Sequence, residues 1–82
     1  MRVGMLWFDD SQERDLVAKI DRAARHYEAK YGLRPTLCYV HPSVLLGKGI
    51  AFPGIVVKGT NMVLPHHFWL GRSEEDRHRP AA

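Results

Sequence analysis

Val3-Gly4-Met5-Leu6-Trp7-Phe8 stops at Asp9-Asp10, and Thr36-Leu37-Cys38-Tyr39-Val40 stops in the same way at His41-Pro42. The residues between these two apolar runs have a different period. Leu16, Val17, Ile20, Ala23, Ala24, Tyr27 and Tyr31 recur at three- and four-residue spacing, so they form one stripe of a helix. Arg14, Asp15, Lys19, Asp21, Arg22, Arg25, Glu28 and Lys30 fall on the other side. The pattern predicts a helix over about 11–31, capped at its start by Asp10 or Ser11, with Glu13 placed as in a capping box. Gly32 suits the left-handed position after the last turn, and Pro35 prevents the helix from resuming. Asp15–Lys19 and Asp21–Arg25 are acid-first pairs one turn apart, worth a few tenths of a kcal/mol each.

The flanking runs read as strands. The first lacks polar alternation, as expected of a strand covered on both faces and lying inside a sheet. Strand, helix and strand in succession predict a parallel β-α-β unit of neighbouring strands, and hence an α/β fold, with α+β as the alternative. Parallel strands would bring Asp9, Asp10 and His41 to one carboxyl edge, where open α/β sheets place their ligands.

Beyond His41 the chain is punctuated by Gly47, Gly49, Pro53-Gly54 and Gly59. Pro42 predicts a short helical turn. Pro53-Gly54 predicts a type II turn joining hairpin arms at 49–52 and 55–58. A short extended piece follows at 62–64, and residues 67–70 read as a last strand at the sheet edge. Residues 1–70 thus form a single small domain, with short strands or hairpins in 49–70. Residues 71–82 have no apolar periodicity and read as a disordered tail.

With 82 residues the chain has room for one core only, and it carries no evident staple. Its single cysteine, Cys38, excludes an internal disulfide and reads as a buried apolar residue of the second strand. That cysteine count, and an N-terminal apolar run far shorter than the ~20 residues a membrane span needs, predict a cytoplasmic protein with no membrane segment. Self-association, most simply as a homodimer, is a common way for so small a core to be enlarged. The formal charge of +3 is spread along residues 1–70. In the tail Arg72, Arg77 and Arg79 offset Glu74, Glu75 and Asp76.

Asp9 and Asp10 are the sharpest candidates for chemistry, because hard divalent cations favour clustered carboxylate oxygens. The competing reading makes Asp10 a helix cap and leaves Asp9 solvated. His41 is a candidate acid/base group beside Asp9, or a loop hydrogen-bonding residue. His67 is a further candidate metal ligand. Adjacent residues of a strand face opposite ways, so His66 and His67 do not converge; the expectation is that one packs and one is exposed. His26 and His78 carry no such pattern. Gly47-Lys48-Gly49 lacks the spacing of a phosphate-binding loop. Arg2, Arg34, Lys58, Tyr39 and Trp69 are a scattered set for phosphate contact and base stacking, without a recognisable nucleic-acid-binding motif.

Met5-Leu6-Trp7-Phe8-Asp9-Asp10, His41-Pro42 and Val63-Leu64-Pro65-His66-His67-Phe68-Trp69 together resemble the layout of small bacterial proteins, a resemblance that implies no activity or cofactor. With no complete catalytic constellation, the residues point to a non-catalytic interaction or accessory module that self-associates or meets a protein partner, with no cofactor. The first alternative is a metal-dependent hydrolase or nuclease-like domain using Asp9, Asp10 and His41 with a divalent metal. The second is weak nucleic-acid binding through Arg14, Lys19, Arg22 and Arg25 on the helix.

Overall fold

The computed structural model describes residues 4–47 and 49–73. Lys48, His78 and most of the expected tail lie outside them. One helix packs on a four-stranded mixed sheet, as an α/β fold requires. The strands are β1 (Gly4–Phe8), β2 (Leu37–Val40), β3 (Val56–Gly59) and β4 (His67–Gly71), and the helix is α1 (Leu16–Tyr31). Their order across the sheet is β1-β4-β2-β3. β4 runs antiparallel to both β1 and β2, and β3 runs parallel to β2.

β1 and β2 are therefore parallel, as the β-α-β pattern requires, but they are not neighbours. The last described strand lies between them. The expected places of β1 and β4 are exchanged, since the first is an edge and the last is central. Phe68 and Leu70 of β4 are almost wholly buried towards α1, and Trp69 lies on the opposite face between β1 and β2 neighbours. In β4 the helix-side residues are wholly buried and Trp69 on the other face is half-buried among its neighbours, whereas the outward side chains of β1, Leu6 and Phe8, stay exposed. Fully burying Phe68 or Leu70 is worth about 1.5–3 kcal/mol each, enough to draw β4 inward.

The helix is shorter at its start than its pattern predicts. Asp15 is the cap, its Oδ1 accepting the Ala18 N–H at 2.8 Å, so neither Asp10 nor Ser11 fills that place. Residues 11–14 are instead held as a loop. Asp9 Oδ1 accepts the Ser11 N–H at 2.9 Å, and Ser11 Oγ accepts the Glu13 N–H at 3.2 Å. Asp15 is thereby spent on the cap, and of the two expected pairs along the helix Asp21–Arg25 forms, at 2.9 Å. The far end is as expected: Gly32 sits at φ 75° and its N–H meets the Glu28 carbonyl.

Ile20, Ala23, Ala24 and Tyr27 of α1 bury against Met5, Cys38, Val40, Phe68 and Leu70, with Trp7 and Val57 at the margin. These strand residues form two rows of the register, Met5–Leu70–Cys38–Val57 and Trp7–Phe68–Val40–Gly59. The expected hairpin at 49–58 is absent. Pro53-Gly54 does turn the chain, with Gly54 at φ 76° and the Ile55 N–H bonded to the Phe52 carbonyl, but only the Phe52–Ile55 bridge forms. Val56 onward pairs with β2, because burial of Ile55 and Val57 against the core outweighs closing two short arms on each other. Residues 62–64 form no strand, and Pro42–Val44 is a short 3-10 turn as Pro42 predicts.

The chain is still tied down past β4. Arg72 Nη1 donates to the Arg34 carbonyl at 2.7 Å, and the Ser73 N–H donates to Thr36 Oγ1 at 3.1 Å. Among the described residues no helix is long and apolar enough to cross a membrane.

Candidate functional site

The parallel course of β1 and β2 sets Asp9 and His41 at one edge of the sheet, together with the loop that enters β4. β4 keeps them apart. Two strand spacings of about 4.8 Å separate the backbones of β1 and β2.

Asp9 is buried, 6% exposed, and both of its oxygens are engaged. Oδ1 holds the Ser11 N–H, and Oδ2 accepts from Arg14 Nε at 3.1 Å. Burial is the largest single influence on its carboxyl and pushes the pKa up. The Ser11 N–H, the Arg14 guanidinium and the charge of Lys19 together outweigh burial and hold it below the ordinary value of 3.8. Asp9 is thus an anion already neutralised by a neighbouring cation. Asp10, next to it, is exposed.

His41 starts the 3-10 turn at Pro42. Its Nδ1 accepts the Ser43 N–H at 3.1 Å and lies 2.8 Å from Ser43 Oγ, so in the neutral ring the proton sits on Nε2. His67 is the reverse case. Its Nδ1 lies 3.0 Å from the Pro65 carbonyl and must donate to it, and its ring tilts against Phe8 with centroids 5.0 Å apart. His66 is exposed and left-handed at φ 67°, a conformation that lets its carbonyl accept the Asp9 N–H at 2.9 Å. His26 stacks on Trp7 at 4.2 Å, whose buried indole N–H has no acceptor among the described residues. Among those residues no group of three or more His, Cys, Asp or Glu side chains is arranged to hold a metal.

The other feature of the molecule is the sheet face turned away from α1. No described helix or strand covers it. Its rows are Gly4–Gly71–Leu37–Val56, Leu6–Trp69–Tyr39–Lys58 and Phe8–His67. Leu6 is 63% exposed, Phe8 54% and Val56 55%. Trp69 and Tyr39 tilt against each other with centroids 5.8 Å apart. Gly4 makes room for the indole, because a Cβ there would lie 2.3 Å from Trp69 Cζ2 and 2.5 Å from the Leu70 carbonyl oxygen. Lys58, on the marginal strand β3, is the one formally charged side chain in these rows.

Tyr39, Trp69 and Lys58 are scattered along the sequence. The register gathers them into one row. Leu6, Phe8, Leu37 and Val56 carry no chemical motif in the sequence, although period-two alternation along each strand places Leu6 and Phe8 together. No family model matches the chain, and neither the curated proteins nor the solved structures hold a significant match to it.

Proposed function

We propose that this chain is a non-catalytic, cytoplasmic interaction module that self-associates, and that the sheet is its working side. The observation that carries this reading is the uncovered face with Leu6, Phe8, Leu37, Tyr39, Val56 and Trp69 in adjacent rows. A single helix on one side of a four-stranded sheet leaves half of a two-sided layer without its apolar cover. A second copy suits this side on charge grounds. Lys58 lies at the margin, so two copies can meet without like charges at the centre. The opposite side of the molecule has the contrary character, since Arg22, Arg25 and Glu28 of α1 are exposed and polar.

Analytical ultracentrifugation over a wide range of protein concentration tests this. The expected result is a reversible dimer that Leu6→Lys shifts to monomer and that Arg22→Glu leaves intact. Leu6 lies outside the buried core, so its substitution should not unfold the chain. A wild-type protein that stays monomeric throughout would refute self-association.

The Trp69–Tyr39–Lys58 row supports a second reading, single-stranded nucleic acid stacked on the aromatic rings with Lys58 at a phosphate. Tryptophan fluorescence during titration with single-stranded oligonucleotides decides it: quenching that fades with added salt is its signature, and an unchanged spectrum at low salt removes it. The metal-hydrolase reading has less support, because both Asp9 oxygens are occupied and Arg14 already fills the place of a cation.

A further inference from the structure

Among the described residues no strand pairs with the outer edge of β1. The Asp9 N–H bonds to the His66 carbonyl across the end of the β1–β4 ladder. Hydrogen bonding alternates along an antiparallel pair, so Met5 and Trp7 direct their backbone groups to β4 while Gly4, Leu6 and Phe8 direct theirs outward. The Gly4 carbonyl receives the Tyr31 hydroxyl at 3.4 Å. For the outward groups of Leu6 and Phe8 no partner is found among the described residues.

Natural sheets blunt such an edge with proline, charge or a bulge. Gly4-Met5-Leu6-Trp7-Phe8 has no proline or charge, and its register with β4 runs without interruption. The other edge is treated differently. β3 carries Lys58, and Leu45 and Pro42 crowd Gly59, where a Cβ would lie 3.2 Å from Leu45 Cδ1. β1 also has the composition of an inner strand, apolar on the helix side through Met5 and Trp7 and on the open side through Leu6 and Phe8.

We propose that a second copy of the chain pairs with this edge, β1 against β1 and antiparallel, about a two-fold axis at Leu6. This rests on the self-association proposed above but places a contact at the β1 edge of that sheet, where the open faces of the two copies join side by side rather than covering each other. Each four-stranded sheet continues into the other, and β1 becomes an inner strand. The register closes on itself, because Gly4, Leu6 and Phe8 are the outward-directed residues: Leu6 faces its own copy, and Phe8 faces Gly4. Such an isologous contact uses the same patch twice, which is how most closed dimers are built. Opposite Gly4, the side chain of Phe8 meets the space over which the other copy's Trp69 ring lies. The absence of charge from Gly4 to Phe8 is what favours a second copy, because two identical edges meet there without like-charge repulsion.

Leu6→Cys tests this. Hydrogen-bonded antiparallel partners have Cα atoms about 5.5 Å apart, within the range a disulfide bridges. Under mild oxidation this variant should become a covalent dimer, while Val56→Cys on β3 should remain uncrosslinked; buried Cys38 does not compete. In parallel, hydrogen exchange of the Leu6 and Phe8 amides should slow as protein concentration rises. A dimer in the ultracentrifuge in which Leu6→Cys crosslinks no better than Val56→Cys, with unchanged exchange at Leu6 and Phe8, would overturn β1 pairing and leave self-association standing. Monomer at every concentration would overturn both.

Discussion

Both carboxylate oxygens of Asp9 hold neighbouring parts of the fold in place. The residue ends β1, fixes the loop at 11–14 through the Ser11 N–H and anchors Arg14, so it links strand to helix approach. Replacing it with alanine leaves a backbone N–H and a guanidinium without their partner, and we expect a loss on the order of 1–3 kcal/mol near neutral pH. Because its folded pKa is held below the ordinary 3.8, the carboxylate's contribution is present above that value and is lost as pH falls through the lower folded value. Urea unfolding of wild type and Asp9→Ala across this acid range should therefore show a stability gap that closes as pH drops. A gap independent of pH would mean that the carboxylate charge is not its source.

At the scale of elements, what was legible in the sequence was local. Helical periodicity, the Gly32 stop, the Pro53-Gly54 turn and the two apolar runs are properties of neighbouring residues, and all are found. The helix start is misread from the sequence, because Asp10 and Glu13 give a capping signal at a loop that Asp9 holds, although Asp15 stands immediately before the first residues of the apolar stripe. Asp15→Ala should cost about 1 kcal/mol, measured by thermal unfolding followed by circular dichroism, and Asp10→Ala should cost much less. Strand order was not legible. It depends on residue 4 meeting residue 71, and no local pattern encodes that contact. The candidate surface shares this fate: alternation places Trp69 and Tyr39 on strand faces, but only the register puts them in one row with Leu6 and Lys58.

For the whole molecule, the small core and the single layer of helix make stability and exposure of the centre closely linked. Cys38 lies in that centre, wholly buried, and burial pushes its thiol up to about 12. It should be unreactive towards thiol reagents in the folded protein and become labelled only at the rate set by opening of the sheet. Labelling kinetics with increasing urea should then follow global unfolding; fast labelling in native buffer would show that β2 opens by itself. The position of β4 has a consequence for synthesis. The strand that joins β1 to β2 is the last of the four along the chain, so β1 has no neighbour in the sheet until residues 67–71 have been added. Folding from the first residue onward therefore cannot close this sheet piece by piece, and β1 stays unpaired until the last strand is made.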